Sequence, residues 1–285
     1  MDAISKEKGK KLIFGITGNP NKEDIKKTIN LLESLLGEDE SIFSEDLSPF
    51  LSTRRRILTF DKLAEHVDFL ITLGGDGTFL RTARHSHGKP IIGVNLGGLG
   101  FLTVFRPEEM EDVIEDIKNN ECEIEERFAI KAIKGNKHFL ALNDITIILT
   151  GSSRMINIEV KVNDELLYKF RGDGLIVSTP TGSTAYNLAA GGPILYPRME
   201  VIAVTPICPH KLSVRPVILP SDVILNIQVS SKGEEMLLSA DGQENINLTQ
   251  NETIQIVPAN EKIKIVKTKR TPPYFSILRN KLSWG

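Results

Sequence analysis

The stretch Gly74-Gly75-Asp76-Gly77-Thr78, entered from an apolar run at 67–73, restricts this chain more than any other feature. Residues 67–73 are mostly apolar and include β-branched members, the pattern of a strand buried in a parallel sheet. From Thr78 the pattern turns helical, with Phe79, Leu80 and Ala83 on one side and Arg81 and Arg84 elsewhere. A strand, a glycine turn and a helix start present peptide N–H groups at the positive end of a helix, where phosphate binds readily. A carboxylate in that setting repels phosphate unless a proton or a metal makes use of it, so Asp76 reads as a chemical group. The competing reading is a tight packing turn in which Asp is an ordinary turn former. The loop is not a Walker A loop, since no Gly-Lys-Ser/Thr follows, and it is not Gly-x-Gly-x-x-Gly.

Around this turn the first part of the chain alternates strand and helix patterns. Residues 11–17 read as a strand ending at Gly18-Asn19-Pro20, and Ile25, Ile29, Leu32 and Leu36 recur at helical spacing. Residues 41–58 are less periodic, and their Arg54-Arg55-Arg56 run reads as a solvated face. A short helical connector at 61–66 leads into the central strand. Residues 89–95 form another buried strand, ending in a second glycine loop, Gly97-Gly98-Leu99-Gly100, and 108–117 a charged helix. Alternation of this kind predicts a Rossmann-like parallel sheet with crossover helices, with ligands collecting at the carboxyl ends of the strands.

The pattern changes after Glu121. Runs at 127–133, 139–149, 156–162, 166–170, 175–178, 201–206, 217–219, 223–230, 236–240 and 253–258 are β-rich and separated by turn signals. Closely spaced strands without helices between them predict an all-β, sandwich-like second domain. The exception is 183–190, read as one short helix capped by Ser183 or Thr184 and stopped by Gly191-Gly192-Pro193. The end of the chain, 275–284, again looks helical. The expected organisation is an α/β domain over 1–120, a β-rich domain over 121–265 and a tail over 266–285.

At 285 residues, 40% of them hydrophobic and 25% charged, the chain has ample core for two domains. A formal charge of −2 argues against nucleic acid or a membrane surface as general partner. Cys122 and Cys208 lack metal-site or C-x-x-C spacing and read as core thiols in a reducing compartment. The charged start has no apolar h-region and no run approaches the ~18 apolar residues of a spanning helix, so a cytoplasmic protein is expected.

Three further constellations stand out. Asn143 and Asp144 sit inside the apolar run 139–149, where buried polar groups need partners; strand alternation sends the two to opposite faces. They bind a ligand or they bond nearby turns. Asp173 lies between Gly172 and Gly174, and the stretch 178–184 carries Ser178, Thr179, Thr181, Ser183 and Thr184 beside Gly182 and leads into the helix start, with Tyr186 offering an aromatic face. That density of donors next to an aromatic face suits a nucleotide and exceeds what one helix cap requires. Asp241-Gly242-Gln243 reads as a turn, and His210 as a turn or surface histidine. His85 and His87, two apart, are poorly placed to share a metal.

In this order, Gly74-Gly75-Asp76-Gly77-Thr78, Asn143-Asp144, Gly172-Asp173-Gly174, the hydroxyl-rich stretch through Tyr186, Gly191-Gly192-Pro193 and Asp241-Gly242-Gln243 resemble the NAD kinase family, over roughly residues 67–285. Gly-Gly-Asp-Gly alone also resembles diacylglycerol and sphingosine kinases; the stretch through Tyr186 is the more specific signal. Asp144 stands where many members have Glu. The resemblance implies transfer of the ATP γ-phosphoryl, or that of polyphosphate, to the 2′-hydroxyl of the adenosine ribose of NAD. It implies Mg²⁺ carried by ATP and no metal site on the protein. Asp76 resembles the proton acceptor. Gly77, Arg81, Asn143, Asp144, Arg154, Arg171, Asp173, Thr181, Thr184, Ala185, Tyr186, Asn187, Leu188, Ala189, Cys208 and Gln243 fall at positions similar to family NAD contacts. A homodimer or homotetramer is implied, with the tail folding back on the first domain. The rival expectations are a lipid kinase, against which the stretch 180–186 and the lack of a membrane-docking segment argue, and an NAD-sensing module without turnover.

Overall fold

A computed structural model describes residues 11–151, 155–231, 233 and 235–284. The chain forms two units, one of residues up to Glu126 together with those from Ile263 on, the other Arg127–Lys262. On sequence the divisions were drawn at 120/121 and 265/266, with the tail as a segment of its own.

In the first unit, β1 (Phe14–Gly18), β2 (Ser41–Ser44), β3 (Arg56–Leu58), β4 (Phe69–Gly74), β5 (Ile91–Asn95) and β6 (Glu123–Arg127) join a seven-stranded sheet. Its order is β3-β2-β1-β4-β5, then the late strand Ile263–Lys267, then β6. Pairing is parallel from β3 through β5 to the late strand. One face is covered by α1 (Ile25–Leu35) and the later helix Met110–Lys118, whose Ile29, Leu32, Val113 and Ile117 pack on Phe14, Ile16, Ile71 and Val94. Ile277 of the closing helix Tyr274–Leu282 joins the same core. The single turn α2 (Phe60–Leu63) precedes β4, and α3 (Asp76–Arg84) follows it. Across the sheet, Thr82 of α3 donates a buried 2.9 Å hydrogen bond to Thr72 of β4. The Met110–Lys118 helix is α4. Strand order reverses direction between β1 and β4, so the loops after those strands flank the point where ligands collect in open α/β sheets.

Two readings change here. β2, β3 and the late strand carry no pattern that sequence alone resolves; each is short and paired within the sheet. The Arg54-Arg55-Arg56 run is not uniformly solvated. Arg55 is buried to 4% side-chain exposure against Glu33 at 5%, and its guanidinium donates to the Glu33 carbonyl at 2.7 Å. Glu33 also accepts from the Ser52 and Thr53 amides and the Thr53 hydroxyl. Although burial works against it, these donors and Arg55 hold the Glu33 carboxyl below the usual range.

The second unit holds two six-stranded antiparallel sheets. Its strands are β7 (Ile130–Lys134), β8 (Lys137–Ala141), β9 (Asp144–Leu149), β10 (Ile156–Val162), β11 (Glu165–Gly172), β12 (Gly174–Ser178), β13 (Val201–Ile207), β14 (Val217–Pro220), β15 (Leu225–Ser230), β16 (Met236–Ala240), β17 (Glu244–Leu248) and β18 (Glu252–Pro258). One sheet runs β11-β10-β15-β18-β7-β8 and the other β14-β13-β12-β9-β16-β17. Alternate residues of both, among them Ile158, Val160, Ile227 and Ile256 facing Ile145, Ile147, Val177 and Leu238, make one core. The sandwich expected from sequence is present, with β17 as an added edge strand.

The run 139–149 is two strands rather than one. β8 belongs to the first sheet and β9 to the second, and the chain crosses between them at Leu142 and Asn143. The residues 183–190 likewise do not form one capped helix. A 3-10 turn, Gly182–Thr184, is separated from α5 (Tyr186–Ala189) by Ala185, whose φ of −96° and ψ of −131° break the helix. Neither cysteine is a buried core thiol: Cys122 is half-buried and Cys208 exposed. Among the described residues no helix is long and apolar enough to cross a membrane.

Candidate active site

Helix α3 begins at Asp76 itself, because Gly75 has extended backbone and its carbonyl accepts the amides of Thr78 and Phe79 at 2.9 and 3.1 Å. An acidic side chain in this first turn is favoured by the helix dipole. The carboxylate turns toward the loop after β5. Oδ2 accepts the Phe101 amide at 2.8 Å, while Oδ1 accepts the amides of Leu102 and Thr103 at 3.0 Å each and the Thr103 hydroxyl at 3.1 Å. Asn95, the last residue of β5, braces the same loop by donating to the Gly98 and Thr103 carbonyls and accepting the Gly97 amide at 2.7 Å. Gly100 leaves room for this contact, since a Cβ there would lie 2.2 Å from Asp76 Oδ1 and would displace the carboxylate. The two glycine loops that sequence assigned to the carboxyl ends of adjacent strands are thus joined through Asp76. Beside them lies an open cleft of about 610 Å³ whose lining includes Lys27, Asn95, Leu96, Leu99 and Arg106.

In the second unit the sheet crossing forms the centre of the hydroxyl-rich segment. Asp241, in the left-handed region at φ +52° just after β16, accepts the amides of Leu142, Asn143 and Asp144 at 3.2, 2.7 and 3.3 Å. Its own amide donates to the Asp144 carbonyl at 2.9 Å. The Thr179 amide donates to the Asn143 carbonyl at 2.9 Å and its hydroxyl to the Leu142 carbonyl, and Ser178 Oγ reaches the Asn143 carbonyl at 3.3 Å. Gly182 packs directly on this corner, so that a Cβ would fall 2.1 Å from the Asn143 carbonyl oxygen. Asp144 is 5% exposed, and burial together with the Asp241 charge pushes its carboxyl up to about 7. Ser183 bonds to the Pro180 carbonyl and the Leu195 amide at 2.7 and 2.9 Å, which is why it caps no helix. Tyr186 stands 45% exposed at the start of α5.

The family model described as ATP-NAD kinase N-terminal domain matches residues 14–122, and that described as ATP-NAD kinase C-terminal domain matches 142–268. The NAD kinase of Prosthecochloris aestuarii is 39% identical over 277 residues, covering 95% of this chain and 97% of that protein. That of Sulfurimonas denitrificans is 42% identical over 80% of this chain and 81% of its own length. The chain belongs to the ATP-NAD kinase family. Among solved structures, yeast NADH kinase complexed with NADH superposes with a TM-score of 0.87 at 27% identity, covering 97% of this chain and 89% of that one. An NAD kinase from Archaeoglobus fulgidus in complex with ATP shares the fold at a TM-score of 0.75 and 24% identity, over 94% of this chain and 99% of that one.

Seen as a family member, the chain does not bring all its candidate residues together. Asn143, Asp144, Thr184, Ala185 and the exposed Gln243 belong to elements tied to the sheet crossing. Arg171, Asp173 and Cys208 lie at the other end of β12, about 16 Å away at roughly 3.3 Å per strand residue. There the Asp173 amide bonds to the Ile207 carbonyl at 3.0 Å and its carboxylate to the Cys208 thiol, which pushes that thiol up. Arg81 is turned to Asp46 at 3.3 Å and over the Phe60 ring at 4.3 Å, and Gly77 is exposed in the first turn of α3. Thr181 is 8% exposed and accepts a 3.2 Å bond from Arg127. Arg154 lies outside the described residues.

Asn187 is the candidate most enclosed by the fold. Its side chain is fully buried and bonds internally, donating to the Ser183 and Pro193 carbonyls at 3.3 and 3.1 Å and accepting the Thr205 hydroxyl at 2.7 Å. These bonds fix α5 to the Gly191-Gly192-Pro193 turn. Leu188 is half-buried and Ala189 exposed. Asp241 and Thr103, in turn, were not read as site builders: Asp241-Gly242-Gln243 entered only as a common turn and as part of the family resemblance, and Thr103 carries no motif. Among the described residues no group of three or more His, Cys, Asp or Glu side chains is arranged to hold a metal. His85 bonds instead to Asp61 at 3.1 Å.

Proposed function

We propose that this chain transfers the γ-phosphoryl of ATP to the 2′-hydroxyl of the adenosine ribose of NAD, giving NADP. The observation that carries this reading is the Asp76 carboxylate, fixed at the first turn of α3 by the 101–103 loop in a chain of the ATP-NAD kinase family. Phosphoryl transfer is mostly positioning and charge neutralisation, with one group receiving the hydroxyl proton. A carboxylate offers about four lone-pair sites. Oδ1 holds three donors and Oδ2 one, so Oδ2 is the atom with capacity for the ribose hydroxyl proton. The loop amides keep the acid from rotating, which preserves that geometry.

Asn143 and Asp144 face the adenosine side, with Thr184, Ala185 and the exposed ring of Tyr186 as further contacts. The hydrogen bonds that the Asp241 carboxylate accepts and the Thr179 amide donates set the crossing from which Asn143 and Asp144 project. Mg²⁺ bound with ATP would supply charge neutralisation on the donor phosphates. Mg²⁺ in phosphoryl-transfer sites takes most of its oxygens from phosphate and water. Family membership also leads us to expect a cytoplasmic homodimer or homotetramer. The relatives named above are NAD kinases, and no observation favours a lipid acceptor or a binding-only module.

The test is purified protein with NAD, Mg²⁺ and either ATP or polyphosphate, following NADP, alongside Asp76→Asn. NADP formation from ATP that falls by about 10²-fold or more in Asp76→Asn supports the reading, that being the low end of general-base contributions. A lack of NADP with ATP, or Asp76→Asn turning over at the parent rate, refutes it.

A further inference from the structure

Asp144 and Asp241 are two acids on one corner of the sandwich, and their surroundings differ. Asp241 is the acceptor for three consecutive amides, at 2.7–3.3 Å, so its charge is matched by fixed donors. Asp144 is 95% removed from solvent and its carboxyl has no hydrogen-bond partner among the described residues. The neighbours across its strand bring no compensating charge: Ser178 pairs with it on β12, Asn143 precedes it, Ala240 pairs with the next residue on β16, and Asp241 is the ionisable group that bears on it. A buried carboxyl without donors beside an anchored carboxylate cannot hold a second negative charge cheaply.

We infer that Asp144 works as its neutral acid, donating a hydrogen bond to an acceptor atom of the adenosine part of NAD, while Asp241 carries the charge of the pair and positions the crossing. The inference rests on the NAD kinase reading and deepens it. Its chemical sense is twofold. A neutral O–H at this corner adds no repulsion against an anionic dinucleotide, and it selects an acceptor on the ligand where a carboxylate would select a donor. The upward displacement of the Asp144 carboxyl to about 7 agrees with the geometry.

The experiment measures NAD dissociation constants by calorimetry from about pH 6 to pH 8.5, a range in which NAD itself does not change charge, for the parent chain, Asp144→Asn and Asp144→Ala. Asn keeps the size and a donor and cannot ionise. The expected result is parent binding that weakens toward a limit of about tenfold per pH unit on the alkaline side, one proton being lost. Asp144→Asn binds about as tightly as the parent at pH 6 and stays flat, and Asp144→Ala binds weakly throughout. Carbon-13 NMR of the parent's aspartate carboxyls, with the Asp144→Asn spectrum assigning the signal, reads the protonation of Asp144 without ligand. Parent binding that is flat with pH, an Asp144→Asn that keeps the parent slope, or an Asp144 signal titrating in the ordinary carboxylate range overturns the inference alone. A parent that binds no NAD at any pH overturns the kinase reading with it.

Discussion

Removing the Asp241 carboxylate tests whether the corner that carries Asn143 and Asp144 is built the way its geometry says. The bond from the Asn143 amide, at 2.7 Å, is short and charge-assisted, and is assigned about 2 kcal/mol; those from Leu142 and Asp144, at 3.2 and 3.3 Å, about 0.5–1 kcal/mol each. The backbone at 241 is left-handed, so the choice of replacement matters. Asp241→Gly accepts that φ and removes only the acceptor, for an expected loss of about 3–4 kcal/mol at pH 5. Asp241→Ala adds the cost of a Cβ in the left-handed region, about 1–2 kcal/mol more. Asp241→Asn keeps size, turn conformation and one oxygen, and loses about 1–2 kcal/mol. At pH 8 each loss shrinks, because the change also removes the charge that burdens Asp144. Urea unfolding followed by far-ultraviolet circular dichroism at both pH values gives the ranking, and the KM for NAD should rise in the same order. Asp241→Gly within about 1 kcal/mol of the parent, the scatter of an ordinary surface change, would show that the three amides find other acceptors and that Asp241 does not hold the crossing.

Gly182→Ala places a methyl 2.1 Å from the Asn143 carbonyl oxygen, where backbone must move, so the KM for NAD should rise by about tenfold or more with a stability loss of about 1–3 kcal/mol; a variant with parental KM and melting temperature defeats this. Asn187→Ala strands the Thr205 hydroxyl and the Ser183 and Pro193 carbonyls and opens a cavity, costing about 2–4 kcal/mol in urea melts; Asn187→Asp, which keeps the acceptor for Thr205, should recover part of it. Asp144 sits near 3.8 in the unfolded chain and about 7 in the folded one, so the folded state binds the extra proton and stability is lost as pH rises through that window. Asp144→Asn should therefore gain in melting temperature over the parent at pH 8 and gain least at pH 4; an equal difference at both values argues that Asp144 is ionised in the fold. Tyr186→Ala should weaken NAD binding by about 1–3 kcal/mol, as base–aromatic stacking does elsewhere, and an unchanged dissociation constant removes the ring from the contact set.

Much of this protein was legible before any coordinates. The apolar run into Gly74-Gly75-Asp76-Gly77 marks strand, turn and helix by local chemistry alone, because burial on both sheet faces demands continuous apolar residues and a helix start demands a break. The spacing of Ile25, Ile29 and Leu32, and the alternation in 156–162 and 223–230, are likewise local consequences of which face is buried. Residue order along the motifs sufficed for the family. What was missed were local features set by a single side-chain partner distant in sequence. The run 139–149 looked like one strand since it is apolar on both sides of Asn143 and Asp144, and Asp241, 97 to 99 residues onward, accepts the amides where it bends at Leu142 and Asn143. Arg55 looked solvated until Glu33 buried it, and nothing near Asn187 in the sequence announces that Thr205 donates to its side-chain oxygen. The sequence by itself determined the classes of element and the chemistry available, through periodicity and backbone preference. Tertiary structure alone decided which polar groups are spent holding the fold and which still have capacity for a ligand, because a hydrogen bond is satisfied by whatever donor folding brings within 3 Å or so, wherever it lies in the chain.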